Sequence, residues 1–501
     1  MANPACRLAT AEPADGGCRP GKVGQGQRRE PFDAARFYNA AVSIKSTERS
    51  ERGVRSTGVR IQPYLFLVLE GGRVQAGGMR IALSGIRSLR IGRGAAREFL
   101  RGEHSTLSVP DARMSTSHVC IARQDRGYLV QDEGSTNGTL VNGEAVTIRL
   151  LRDGDALEFG QTLFLYREIE EEHHIVACDK NATDVAALSG LTTLDPNLER
   201  QHERVVRMAT STLSMLLLGE TGTGKEVVSR EIHALSKRPG PFVAVNCGAL
   251  PANLVESALF GHVRGAFSGA VRDEPGLVRA ADSGTLLLDE VGDLPPSSQA
   301  ALLRVLQEQE VLPVGGTRPV PIDVRVLAAT HMPLDELIER GTFRRDLYAR
   351  LAGYTFHLAP LRDRRVDLGL LIAALVASGK VAMPQALRVH REAARALVRH
   401  DWPLNIRELE QCLRAAILLV EDNVITIEHL PETVASALAS ESLLEDESPH
   451  KDVELRRELL VRMVDAKGNL SEVARTMGKA RRQIQRWTHR FGIDPESFRE
   501  H

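Results

Sequence analysis

Nothing in the 501 residues is long and apolar enough to cross a bilayer. The longest nearly uncharged apolar run, Leu368 to Ala377, falls well short of the roughly 20 residues a membrane helix needs, so no span is expected. The N-terminus also lacks the charged-then-apolar pattern of a secretory signal. Cysteine is sparse and scattered, at Cys6, Cys18, Cys120, Cys178, Cys247 and Cys412. That spacing offers neither the paired ligands of a zinc site nor the density of a secreted disulfide scaffold, so the thiols read as reduced and the chain as cytoplasmic. Charge of one sign is missing too: 64 Lys and Arg balance 65 Asp and Glu, and the net of -1 leaves partners to be read from local runs. A 43% hydrophobic content suffices to build about three or four cores in a chain of this length. Residues 1–58, rich in Gly, Pro, Arg and Ala, read as a disordered arm or a misassigned start.

The strongest chemical signal is Gly219-Glu220-Thr221-Gly222-Thr223-Gly224-Lys225-Glu226, placed where the apolar run Met215–Leu218 hands over to a helical pattern. The glycines let backbone N–H groups turn toward one point, the helix start adds positive potential, and Lys225 reaches the outer phosphates. ATP is the expected ligand. Glu226 stands where Ser or Thr usually offers a hydroxyl to Mg2+, so another oxygen or a water must replace it.

Between residues 59 and 168 the chain turns to short alternating segments. Val146, Ile148 and Leu150 alternate, and Asn137-Gly138 and Asn142-Gly143 supply hairpin turns, which predicts a β-sandwich. Gly92-Arg93, Ser115-x-x-His118 and Ser135-Thr136-Asn137-Gly138-Thr139 follow one another in the order of a forkhead-associated (FHA) domain, which this segment resembles. The resemblance implies phosphothreonine binding. Arg93 would offer a charged fork, Ser115 and Thr136 hydroxyls, and Asn137 a hydrogen bond to the ligand backbone, while His118 would support the loops internally.

After a linker at 169–190, acidic and flexible at Glu168 to Glu172, residues 191–435 alternate continuous apolar runs (Met215–Leu218, Leu286 to Leu288, Val324 to Ala329) with helical repeats. This is the pattern of a parallel sheet covered on both faces. Asp289-Glu290 follows one run; Asp289 would hold Mg2+, directly or through water, and Glu290 would polarise the attacking water. The motifs Glu256-Ser-Ala-Leu-Phe-Gly261, Gly265-Ala266-Phe267-Ser268-Gly269-Ala270, Gly284-Thr-Leu-Leu-Leu-Asp-Glu290, Phe343-Arg344-x-Asp346-Leu347-Tyr348 and Asn405-Ile406-Arg407-Glu408-Leu409 resemble the AAA+ domain of bacterial sigma-54-dependent transcription activators. The resemblance implies a homo-oligomeric, hexamer-like ring. In it Asn246 restrains the catalytic glutamate, Thr330 and His331 sense nucleotide, Arg344 and Arg350 enter the neighbouring subunit's site, and Arg407 acts from the helical lid. The Gly265–Ala270 loop would touch sigma-54 in the RNA polymerase holoenzyme.

An acidic linker at 436–454 precedes a final helical unit, 455–501. Gly468-Asn469 opens one helix, Gly478 turns it, and Ile484, Trp487 and Phe491 share a stripe of the next, which is helix-turn-helix geometry. Between Arg475 and Arg490 the charged residues are all basic, the footprint of phosphate contacts. The segment resembles Fis-type DNA-binding domains, and Lys479, Arg481, Arg482, Gln485, Arg486, His489 and Arg490 are expected to face enhancer DNA. The whole reads as multidomain: a β-sandwich, an α/β AAA+ P-loop ATPase with helical lid, then an all-α helix-turn-helix.

Overall fold

The computed structural model describes residues 59–172, 178–181 and 190–438, except Arg126, and a few positions between 459 and 488. The first part is a two-sheet sandwich. Its seven-stranded sheet runs, in spatial order, Lys180–Asn181, Met79–Ala82, Val59–Glu70, Thr162–Glu172, Ala156–Phe159, Thr139–Val141 and Glu144–Val146. The six-stranded sheet runs Ile148–Leu150, Gly127–Asp132, Val119–Gln124, Ser88–Arg93, His104–Val109 and Glu98–Leu100. Leu65 and Leu67 point between the sheets with Ile91, Ile121 and Phe159, and burying such side chains stabilises the sandwich by about 1.5–3 kcal/mol each.

Three sequence expectations change here. The acidic run at Glu168 to Glu172 is not flexible linker; it continues the Thr162–Glu172 strand, and Val59 pairs with Glu172. Lys180–Asn181 then adds an edge strand beside Met79–Ala82. The alternation Val146, Ile148, Leu150 is not one strand: it breaks at Thr147, its halves join different sheets, and Ile148 and Leu150 are exposed. Asn142-Gly143 does make a hairpin, with positive φ at both residues, but Asn137-Gly138 lies in a loop crossing between sheets.

The second part is a five-stranded, all-parallel sheet in the order Phe242–Asn246, Thr285–Asp289, Arg325–Thr330, Met215–Leu218, Tyr354–His357. Both faces are buried, by the clusters around Leu286 and Leu302 and around Val228, Ile232 and Leu327. Arg325, only 1% exposed, donates to the carbonyls of Met208, Ala209 and Leu213 and so satisfies the end of the Pro196–Ala209 helix. The uncharged run Leu368–Ala377 is a helix of the lid, packed with Arg391–Arg399 and Asn405–Leu419. Among the described residues no helix is long and apolar enough to cross a membrane. The residues predicted to face DNA and the arm at 1–58 lie outside the described residues. From the last unit, Leu459, Met463, Val473, Ala474 and Ile484 form a small buried cluster.

Candidate nucleotide cleft and its neighbours

Parallel strands put all their carboxyl ends on one edge, so residues far apart in sequence meet there. Asn246 and Asp289 are Cα partners, Leu218 pairs with Thr330, and Gly219 follows directly. The phosphate loop and these strand ends border a cleft of about 460 Å³, within the ~300–1,000 Å³ of small-molecule sites. Thr221 to Glu226, Asn246, Asp289, Glu290 and Arg407 line it. A second cleft of about 340 Å³ on the sandwich, near Arg60, Arg123 and Glu168, holds none of the predicted site residues.

Lys225 is the first residue of its helix, 7% exposed, and its Nζ donates to the carbonyls of Gly219 and Glu220. Gly222 has φ 80°, and a Cβ there would lie 2.1 Å from the Leu404 carbonyl oxygen, so no other residue fits. Glu226 is exposed, lines the cleft and pairs with Arg230. Glu220, by contrast, does not line the cleft. Its carboxylate accepts from Arg362 at 2.9 and 2.5 Å and from Asn405 Nδ2 at 3.1 Å, which latches the loop to the lid. Ile406 N–H reinforces the latch by donating to the Gly222 carbonyl.

Glu290 sits at φ 52°, ψ 50°, a strained setting for a non-glycine residue of the kind found at active sites. Its Oε2 accepts from Thr330 Oγ1, His331 N and His331 Nδ1, the last at 2.8 Å, and its Oε1 is 3.7 Å from Lys225 Nζ. Burial works to raise its pKa, but the His331 hydrogen bonds and Lys225 outweigh it and hold the carboxyl below the ordinary range. Asp289 goes the other way, raised by burial and then by the adjacent Glu290 charge. Asn246 does not restrain Glu290 in this structure. Its Oδ1 caps the turn at Cys247 by accepting from Ala249 N, and the Glu290 carboxylate is engaged by the strand end at Thr330 and His331 instead.

Arg344 and Arg350 are exposed and are absent from the cleft lining. Arg344 forks onto Asp346 at 3.0 and 2.6 Å. The Gly265–Ala270 loop closes on itself through Gly265 N to Ala270 O, with Phe267 38% exposed against the His262 ring at 4.9 Å. Ser268 and Gly269 are exposed, and Ala266 packs beside Gly315. Val271, 79% exposed at the loop's end, was missed in the sequence; a lone valine carries no signal there.

The cleft walls were also missed. Arg364 is buried, with Nη2 on the Thr223 carbonyl, and its signal was the cationic density of Arg362, Arg364 and Arg365. His202 lines the opposite wall, its Nδ1–H donating to the Leu191 carbonyl at 2.6 Å and its ring edge-on to Phe356. Burial lowers its pKa to about 4. Between that value and the ordinary 6.5 the unfolded chain binds more protons, so the neutral histidine's stability is fully present above pH 6.5 and is lost as pH falls toward 4. Denaturant unfolding is expected to show a loss of about 2 kcal/mol from this group between pH 7 and pH 5, and His202→Gln should remove it.

On the sandwich, Arg93, Ser115, Thr136 and Asn137 converge at one end. Arg93 N donates to Ser115 O, Thr136 N to Ser115 Oγ, and Asn137 Nδ2 to Arg113 O. His118 is fully buried beneath them, accepting from Ser115 N and donating to Gly138 O, as an internal support. Gly92 is forced by contact: a Cβ would lie 1.9 Å from the Thr116 carbonyl oxygen.

Residues 191–357 match the Sigma-54 interaction domain family, 362–446 the AAA+ ATPase lid domain and 89–160 the FHA domain. The chain is 43% identical over 326 residues to the acetoin catabolism regulatory protein of Cupriavidus necator, covering 63% of this chain and 48% of that one. It is 37% identical over 324 residues to the transcriptional regulatory protein GlrR of Escherichia coli K12, covering 64% of this chain and 72% of that one. It spans about half the length of the first of these and of the Nif-specific regulatory proteins it also matches. Among solved structures, NtrX from Brucella abortus in complex with ADP is 28% identical, covers 60% of this chain and 70% of that one, and gives a TM-score of 0.44.

Proposed function

Because the chain belongs to the sigma-54-dependent transcriptional activators, we propose that it binds enhancer DNA, assembles into a ring and hydrolyses ATP between subunits to remodel the sigma-54 RNA polymerase closed complex. The observation that carries this reading is the joining, in one α/β domain, of a phosphate loop and a half-buried acidic pair with an exposed glycine-ended loop bearing Phe267. Lys225 and the loop N–H groups hold the outer phosphates, and Arg407 meets them from the lid. Glu290, kept ionised, orients the attacking water and takes up its proton, and Thr330 and His331 set its position. Arg344 and Arg350 reach the neighbouring subunit's cleft, where phosphoryl transfer spreads negative charge.

A magnesium ion fits the residues present, since the adjacent carboxylates Asp289 and Glu290 line the cleft together with Glu226 at the phosphate loop. Asp289 would hold it, with Glu226 at the cleft in place of the usual hydroxyl, and it would neutralise phosphate charge. The FHA domain supplies the input. A phosphothreonine from a Ser/Thr kinase pathway docks at Arg93, Ser115, Thr136 and Asn137, and the C-terminal Fis-type unit, with Lys479, Arg481, Arg482, Gln485, Arg486, His489 and Arg490, holds DNA.

The test is transcription from a sigma-54 promoter with purified components. The wild type is expected to open the promoter only with hydrolysable ATP, and Phe267→Ala to lose promoter opening at least ~10-fold while turning over ATP normally, because removing a buried aromatic anchor from an interface costs more than ~2 kcal/mol. Full opening by Phe267→Ala rejects the loop's role.

A further inference from the structure

In the seven-stranded sheet both faces are apolar. Tyr64, Phe66 and Val68 alternate with the core-facing Leu65 and Leu67 and point out of the sandwich, where they join one continuous buried cluster with Leu370, Leu397, Trp402 and Leu413 of the ATPase lid. An antiparallel sheet ordinarily leaves one face to water. Here the lid covers it, at backbone distance: a Cβ on Gly369 would lie 2.0 Å from the Val68 carbonyl oxygen, and Val389 N donates to Gly71 O at 2.8 Å. Polar contacts fix the register. Glu158 on the sheet, 2% exposed, takes both Nε and Nη2 of Arg395 at 2.5 and 2.8 Å, and Gln75 Nε2 donates to the Met383 carbonyl.

The same sheet also grips the opposite wall of the nucleotide cleft. Arg80, fully buried on the Met79–Ala82 strand, donates to the Leu194 carbonyl and pairs with Glu199 on the Pro196–Ala209 helix, which carries the cleft residues Leu198 and His202. The lid supplies Leu370, Leu371, Ala374 and Arg407 to the other side. The sandwich is therefore a bridge across the cleft, bonded to both walls.

Its peptide-facing end lies on that bridge. Asn137 Nδ2 donates to Arg113 O, Arg113 N to Asp111 Oδ1, Gln161 N to Asp111 Oδ2, Gly71 N to Gln161 O, and Val389 N of the lid to Gly71 O. Arg97, from the loop that follows Arg93, is buried against Glu70, the residue beside Gly71. The recognition loops are thus hydrogen-bonded, through Asp111, Gln161 and Gly71, to the lid.

The geometry points to a thermodynamic linkage within one chain: phosphothreonine bound at the Arg93 end of the sandwich and nucleotide bound in the cleft change each other's affinity, through the sheet that joins the two cleft walls. This rests on the sensor reading of the FHA domain given above. Two ligands whose sites share a body that must move when either binds are coupled, and the coupling is reciprocal.

The experiment measures binding of a fluorescent degenerate phosphothreonine peptide to the full chain, with and without a saturating non-hydrolysable ATP analogue. Peptide affinity is expected to change at least about fivefold, in either direction, with analogue affinity changing by the same factor when the peptide is added. Glu158→Gln should bring both factors close to one while leaving each ligand's separate affinity unchanged. Arg395→Met, which removes the partner charge without opening a hole, serves as a second variant. Wild-type factors near one with both ligands binding overturn the linkage and leave the sensor standing, and full linkage surviving in both variants overturns it too. No peptide binding by the wild type rejects the sensor reading, and the linkage with it.

Discussion

Arg344→Ala and Arg350→Ala are each expected to lower ATP turnover by ~10³-fold or more while each subunit still binds ATP, since an arginine supplied in trans contributes ~10³ to 10⁵. Both side chains are exposed and neither lines its own chain's cleft, so neither is placed to meet its own nucleotide. The ion pair of Arg344 with Asp346 is a surface pair, half exposed on both sides, and such pairs contribute little to folding. Loss of turnover with an unchanged melting profile then points to the neighbour's site. Mixing separates the alternatives: Arg344→Ala subunits have an intact Glu290, and Glu290→Ala subunits an intact Arg344. A mixed ring contains some borders with both, so activity should reappear on mixing two inactive proteins. Mixtures that stay inactive while still forming rings would remove the arginines from the reaction.

Glu290→Gln is the second large effect, with turnover falling ~10²- to 10⁴-fold and ATP affinity kept, as expected on losing a general base. Glutamine preserves the shape of the side chain and its Oε1 can still accept from His331 or Thr330, so the strained backbone at φ 52° keeps its supports. Only the negative charge goes. Single-turnover measurement of phosphate release checks this, and near wild-type release would move the base elsewhere. The same experiment on His331→Ala should show a smaller loss, because Thr330 Oγ1 and the backbone N–H of residue 331 still hold the carboxylate.

Much of this is legible in the amino-acid sequence. The phosphate loop declares itself through glycine spacing between an apolar run and a helix; the helical pattern in the sequence starts at Val227, and the helix itself starts two residues earlier, at Lys225. Met215–Leu218 was read as a strand with the bounds it has, because four apolar residues before a glycine turn leave little room for another state. The sandwich strands were harder. A period of two over Val146 to Leu150 predicts one strand with one buried face, but the turn chemistry around Thr147 passes the chain from one sheet to the other, and Ile148 and Leu150 end up exposed. Local pattern cannot register that crossing.

The division has a physical basis. Chemistry that depends on neighbours in the chain, such as a loop that cradles phosphate, an acid pair after a strand or a glycine-ended loop with a phenylalanine, is written in spacing and can be read there. Groups that meet only because strands stack side by side leave no such trace. Nothing in the string puts His331 rather than Asn246 on the Glu290 carboxylate, turns Glu220 toward Arg362 and Asn405, or lays Tyr64, Phe66 and Val68 on the lid. Those contacts span up to several hundred residues, and folding alone, by burying the second apolar face of one sheet, makes them.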